Sequence, residues 1–592
     1  MSPTSRDFSR LVAETSHLWF WAILMLALGL RLFWLLIYQG HYGYDAIRYL
    51  WISQHLTFGE WDKVPQLWTQ PLLPLSIGML SFLTGDHIWS ARFLGILGNT
   101  LAVGSAMLLV RQGFPQRPAL AWLTGLGLAF SHVWTQLAPF AVTENLFFPL
   151  VMGLLILFVR LFQKPDWPTG LIFGLFWGLA YLTRDNGLFF GLVFFSFLIL
   201  AELVRPAALK EKILRTLRLA APVLGILALI LTCWMYWYYI TFGIISLGEG
   251  RHFILNELAL EGQGEHPVTY EQGGIGYLKL RPYEYMEFTR APLPGDSRYP
   301  QGKWQILWGD GTWPRIKRNL HITFKEIKPI ILPGLIGLVL LFRKGYLFNA
   351  NTRVMWWALG ASLVLLGLHL IGLVKEARHI AWFFPWLFLG SAATFLWTWE
   401  RLPHWLPQKK RPAWTVLLLG LVGLFLLLYP DYIKEAPHKW RIRHIPHVYQ
   451  LAGEYLMEHH GPGAVISSRQ VEVVYRCQGG AIGVPEGSPA DIMEWLYLGK
   501  ADYLLFINRY PRTEAQQFFW GDPDLIRQQY PELELLTEFH SENSNYPQHA
   551  RLFRFHPQAA TFEQYRAKYP WAGTPPRPPG AGKATGQPGS AG

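Results

Sequence analysis

The feature that most constrains this chain is a succession of apolar runs of membrane-spanning length. They lie near residues 18–38, 87–110, 119–136, 143–162, 168–183, 187–204, 219–242, 329–343, 353–374, 379–398 and 412–430. About 20 helical residues cross a hydrocarbon core about 30 Å thick. Backbone in lipid must satisfy its hydrogen bonds internally, which favours helices. The expectation is an α-helical polytopic membrane bundle of about eleven transmembrane helices. Two runs fit less well: 119–136 is interrupted by polar residues and 329–343 is short. Only 16% of the residues are charged, against about 25% in soluble domains. The first run has no small-residue cleavage site after it, so it reads as a span and not as a removable signal peptide. With two cysteines, Cys233 and Cys477, neither a disulfide framework nor a cysteine metal site is available.

The net charge of +12 has a topological explanation that makes nucleic acid unnecessary. With Arg6 and Arg10 inside, alternate loops are RQGFPQR (111–117), RLFQKP (160–165), RPAALKEKILRTLR (205–218), RKGYLFNANTR (343–353) and ERLPHWLPQKKR (400–411). All are basic, and short cytoplasmic loops carry the excess of Lys and Arg. This assignment holds only if PLLPLSIGMLSFLT (71–84), which is proline-rich and too short, is interfacial or re-entrant. The opposite, extracytoplasmic face then receives 39–70, a short loop near 137–144, the turn RDNG (184–187), the long loop 243–328, the turn KEARH (375–379) and everything after 430.

Composition divides the chain into a cytoplasmic N-terminus (1–17), the bundle (18–430), an extracytoplasmic small α/β domain (431–570) and a Pro/Gly-rich tail (571–592) expected to be disordered. In the α/β domain GAVISS (463–468) and ADYLLFI (501–507) read as buried strands. Further strands fall near 533–539 and 550–555, with helices over 489–499 and 513–529. The domain contains no glycine-rich phosphate loop and no metal-spaced His/Cys cluster. The long loop 243–328, rich in Gly, Tyr and Trp, can cover a site on the outer face.

Ionisable residues next to spans are expensive and tend to be functional. Asp45, in HYGYDAIRYLWISQHLTFGEW (41–61), can act as general base toward an acceptor hydroxyl, or simply cap the amphipathic stretch 46–56. Glu144 is the second carboxylate, and first-turn helix stabilisation is its bland alternative. Arg184 can hold a phosphate or snorkel to headgroups. Arg92, near the outer end of its span, and Arg31, inside the first span, carry the same snorkelling alternative. Lys375, Arg378 and His379 form a basic turn on the face where positive charge is disfavoured. Carboxylates and cations thus share one side of the membrane.

In order along the chain, LRLFWLLIYQGHYGYDAIRY, QPLLPL, GDHIWSARFLGILGNTLA, AVTENLF, GLAYLTRDNGLFFG and KEARHIAWFFPWL resemble the membrane glycosyltransferases of the GT-C fold. The group they are most similar to is the protein O-mannosyltransferases and lipid A aminoarabinose transferases (glycosyltransferase family 39-like), over about residues 15–400. The resemblance implies transfer of a sugar from a polyprenyl-phosphate donor to a glycan, lipid or protein acceptor on the outer face, with inversion. It implies Asp45 as general base, Glu144 as a second acidic residue, Arg184 at a basic position, and Arg378 in the late motif that Pro385 completes, with His379 where tyrosine is usual. Many members carry an acidic residue beside the aspartate. Here the neighbour is Ala46, which weakens the case for a metal held by paired carboxylates; no cofactor is certain, and a divalent metal stays open without that support. The setting it implies is the plasma (inner) membrane of a bacterium.

Two other classes compete. A transporter or flippase for lipid-linked glycans would also need cations facing phosphate, but such proteins often carry internal repeats and midplane polar residues, and no repeat is visible here. A surface-polysaccharide polymerase or ligase would share the spans and the long external loop.

Overall fold

The computed structural model describes chiefly residues 16–37, 44–57, 69–242, 277–280, 285–289, 312–342, 350–371, 377–401, 445–468, 472–482, 488–508, 514–542 and 549–561. They form two compact units, one built from the helices up to residue 232 and from 301–443, the other from 58–68, 233–300 and 444–592.

The first unit is helical. Its elements are α1 (Ser16–Ile37), α2 (Tyr44–Thr57), α3 (Leu72–Thr84), α4 (His87–Gly113), α5 (Pro118–Phe130), α6 (His132–Leu137), α7 (Glu144–Gln163), α8 (Trp167–Thr183), α9 (Asn186–Val204) and α10 (Leu209–Phe242). α11 (Thr312–Phe342) begins inside the stretch 243–328, so 312–328 are helical and not loop, and α12 (Ala350–Ile371), two 3-10 turns (Ala377–His379 and Ala381–Phe383) and α13 (Phe384–Arg401) follow. Among the described residues six helices, α1, α4, α7, α9, α10 and α12, are long and apolar enough to cross a membrane. Large apolar side chains such as Leu18, Met25, Phe33, Leu101, Leu192 and Val339 stand on the outside of the unit. A water-facing surface would not sustain that. This is an integral membrane protein.

The other runs depart from simple spans for local reasons. Segment 119–136 breaks at Ser131, whose extended backbone ends α5 and whose carbonyl accepts the Thr135 amide and hydroxyl at the start of α6. The run 329–343 is the apolar second half of the 31-residue α11. The run 379–398 opens with the 3-10 turns, and Pro385 sits in the first turn of α13, where its missing N–H breaks no helical bond. Helix α3 has 13 residues, about 20 Å at 1.5 Å per residue, short of the hydrocarbon core. The run 412–430 and the tail 571–592 lie outside the described residues.

Packing relies on close backbone approach where apolar area alone gives no net drive. Gly170, Gly174 and Gly178 form one stripe of α8. A Cβ there would lie 2.8 Å from Pro222, 2.4 Å from Ile226 and 2.4 Å from Ile230, all on α10. The continuous core runs through Trp134, Phe147, Phe148, Phe158, Phe190, Phe194 and Trp382.

The second unit carries a seven-stranded sheet of order β1-β2-β4-β3-β5-β7-β6. Its strands are β1 (Tyr277–Leu280), β2 (Tyr285–Thr289), β3 (Val465–Ser468), β4 (Gly480–Ile482), β5 (Tyr503–Ile507), β6 (Leu533–His540) and β7 (His549–Phe555). β2–β4, β3–β4 and β3–β5 pair in parallel and the rest antiparallel. The helices are α14 (Val448–His460), α15 (Glu472–Cys477), α16 (Pro489–Gly499), α17 (Glu514–Phe519) and α18 (Pro523–Gln529). The long loop therefore supplies the two strands at one end of this sheet, β1 at its edge and β2 beside β4. One core is built on Ile492, Leu496, Leu504, Phe506, Phe519 and Phe553.

A buried polar pair closes one end of α14. His447 Nδ1 accepts the Gln450 amide at 3.2 Å, and its Nε2 lies 2.8 Å from Glu472 Oε1, with both side chains 2% exposed or less. Removing one member of a buried pair strands the other. His447→Ala is expected to destabilise this domain by roughly 3 kcal/mol or more, read as an earlier urea midpoint of the intact protein by tryptophan fluorescence. An unchanged midpoint would refute the role.

Candidate active site

Three separate stretches of the first unit converge on one carboxylate. Glu144 opens α7, where the helix N-terminus favours a negative group. Arg184 follows α8, its amide closing that helix on the Ala180 carbonyl. The chain then reverses in the RDNG turn, closed by the Gly187 amide on the Arg184 carbonyl at 2.8 Å. A Cβ at Gly187 would sit 2.2 Å from the Ala180 carbonyl carbon, so this reversal requires glycine. Arg378 lies in the first 3-10 turn, and Trp134 anchors the second by donating Nε1–H to the Ala381 carbonyl at 3.1 Å.

Arg184 Nη1 donates to Glu144 Oε1 at 2.6 Å, and Arg378 Nε stands 3.8 Å from the same oxygen. The Thr143 hydroxyl donates to Glu144 Oε2 at 3.3 Å. The carboxylate is 3% exposed, whereas the two arginine side chains are 22% and 20% exposed. A buried anion thus holds two half-buried cations. A guanidinium carries its N–H donors in a planar fork suited to phosphate oxygens. Glu144 itself, sunk beneath Arg184, is poorly placed to take a proton from an incoming hydroxyl.

His379 lies within electrostatic reach of Glu144, Arg184 and Arg378. Around them stands an aromatic wall. The Arg184 guanidinium is 5.9 Å from the Phe147 ring centre, Phe147 meets Phe190 edge-on at 5.1 Å, and Phe190 meets Trp382 at 4.6 Å. Two residues that the sequence reading did not single out belong here. Asn186 Nδ2 lies 3.4 Å from His369 Nε2, and the His369 ring lies 5.5 Å from both Phe190 and Trp382. A histidine inside the run 353–374 was the available signal. Asp185 accepts a hydrogen bond from the Gln70 amide.

The structure therefore brings together Glu144, Arg184, Arg378 and His379. Arg92 is buried on α4, its guanidinium 5.2 Å from the Trp89 ring centre. The backbone places Asp45 second in α2, and its side chain lies outside the described residues, as does Lys375. Arg31 does not snorkel. It is fully buried and bonded to Asn99, because α4 and α5 cover the face of α1 that carries it.

The fold is of the GT-C type. The chain is similar to the crystal structure of ArnT from Cupriavidus metallidurans in the apo state, with 13% identity over 92% of this chain and 100% of that one, at a TM-score of 0.50. A second structure of that protein, bound to undecaprenyl phosphate, is 14% identical over 91% of this chain and 99% of that one, at a TM-score of 0.42. Residues 65–239 match the family described as dolichyl-phosphate-mannose-protein mannosyltransferase. That stretch contains Glu144 and Arg184 and excludes Asp45, Arg378 and His379. No curated protein sequence matches the chain.

Proposed function

We propose that this protein is a membrane glycosyltransferase that moves a sugar from a polyprenyl-phosphate-linked donor to an acceptor at the extracytoplasmic face, with inversion at the anomeric carbon. The observation that carries the reading is the pair of partly exposed arginines, Arg184 and Arg378, set beside one buried carboxylate. In this reaction the acceptor oxygen attacks the anomeric carbon as the bond to the phosphate oxygen breaks. The acceptor proton passes to a base and the bond's electrons pass to the phosphate. Negative charge grows on the phosphate, and two preorganised guanidiniums in a partly dry site stabilise it there. In this reading Asp45 is the base and Glu144 holds the cations.

The purified protein, given an undecaprenyl-phosphate-linked sugar and a panel of glycan, lipid and peptide acceptors, is expected to release undecaprenyl phosphate in step with acceptor glycosylation. Movement of lipid-linked glycan across vesicles without cleavage would favour a flippase and defeat this reading.

The outward orientation makes its own expectation. Single cysteines at Gln263 and Lys409, introduced with Cys233 replaced by serine, should react with an impermeant maleimide from opposite sides of the membrane. Cys477 leaves little background, since burial pushes its thiol up to about 12 and the thiolate is the reactive form. Labelling of both positions from one side would overturn the orientation.

A further inference from the structure

A second set of polar side chains lies buried within the bundle and ends one residue from the site. Arg31, in the C-terminal third of α1 and fully buried, donates Nη1–H to the Ala27 carbonyl at 2.9 Å and Nε–H to Asn99 Oδ1 at 2.8 Å. Asn99, on α4, donates Nδ2–H to Asn145 Oδ1 at 3.3 Å. Asn145 in turn donates Nδ2–H to the carbonyls of Leu137 and Phe140, at 2.9 and 2.8 Å, pinning the segment that leads into α7. Asn99 and Asn145 are no more than 1% exposed. A charged guanidinium inside an apolar bundle is costly, and well-packed apolar replacements would be the cheaper way to join helices.

The backbone is shaped to this line of contacts. A Cβ on Gly95 of α4 would lie 2.1 Å from the Ala138 carbonyl oxygen and 2.7 Å from Asn145 Nδ2, and one on Gly98 would lie 2.1 Å from the Asn145 carbonyl oxygen. Only glycine lets the start of α7 seat this deeply on α4. The next residue back is Glu144, whose Oε1 meets both Arg184 and Arg378.

We propose that Arg31, Asn99 and Asn145 are positioning residues. They fix the first turn of α7, and thereby the carboxylate that presents the two guanidiniums to phosphate. This rests on reading Arg184 and Arg378 as a phosphate clamp. The relay runs through the Asn99 side chain, which joins Arg31 to Asn145.

The test is binding of undecaprenyl phosphate to the full-length, detergent-purified protein. Asn99→Ala is expected to weaken binding about tenfold, the scale of an angstrom-level misplacement shared by coupled residues. Asn99→Ser, too short to reach Asn145 but still polar beside Arg31, cuts the same contact and serves if the alanine variant does not fold. The discriminating measurement is the double variant with Glu144→Gln. If Asn99 acts through Glu144, the double variant binds within about twofold of Glu144→Gln alone, whereas independent sites multiply their losses. Multiplied losses, or wild-type affinity in both Asn99 variants, would overturn the relay alone. Failure of the wild-type protein to bind undecaprenyl phosphate would overturn the relay and the clamp together.

Discussion

Asp45→Asn is expected to bind the lipid carrier normally and to lose sugar transfer by about 10²–10⁴-fold, the usual contribution of a general base. Asparagine keeps the size and the helix-capping capacity of aspartate and removes only its ability to take a proton. The residue is the second of α2, a helix in which Ile47, Leu50, Trp51 and Ile52 are buried. A capping role alone therefore predicts near-normal turnover in this variant, and a loss of only twofold would reject the base assignment. Glu144 is no longer the natural substitute, because its carboxylate is buried and committed to Arg184. If Asp45 is cleared of the role, the search passes to His379, which stands among the same residues.

What the sequence disclosed about this molecule divides along the range of the interactions concerned. Spans show themselves because a run of 20 apolar residues has one physical use, and the strands β3, β5, β6 and β7 show themselves through apolar runs bounded by turns. β4 has three residues and no period to detect. β1 and β2 come from the loop 243–328, and nothing local says that an insertion this distant completes the same sheet. Helix α14, VYQLAGEYLMEHH, was open to detection, since Val448, Tyr449, Ala452 and Leu456 recur at helical spacing and are buried. At the site the division is the same. Glu144, Arg184 and Arg378 each stand out as ionisable residues beside apolar runs, yet their convergence on one oxygen depends on three elements meeting. Arg31 misled for the same reason. Its distance from the end of a helix is written in the sequence, and the asparagine waiting on α4 is not.

Arg378→Ala is expected to weaken carrier binding and to lower turnover by about 10²–10³-fold, as removal of one preorganised donor to a developing anion typically does. Arg378 stands 3.8 Å from Glu144 Oε1, too long for a hydrogen bond, so this pair acts on its guanidinium through charge alone. Arg184, at 2.6 Å, is held more tightly from the other side. Arg378→Lys retains the charge and loses the planar, two-pronged donor set, so it should recover binding in part and turnover hardly at all. That split separates the clamp from a side chain reaching for lipid headgroups, for which either cation, or none, would serve. Turnover and undecaprenyl-phosphate affinity measured side by side decide the matter. Wild-type values of both in Arg378→Ala would end the clamp, and full recovery of turnover in Arg378→Lys would reduce it to a point charge.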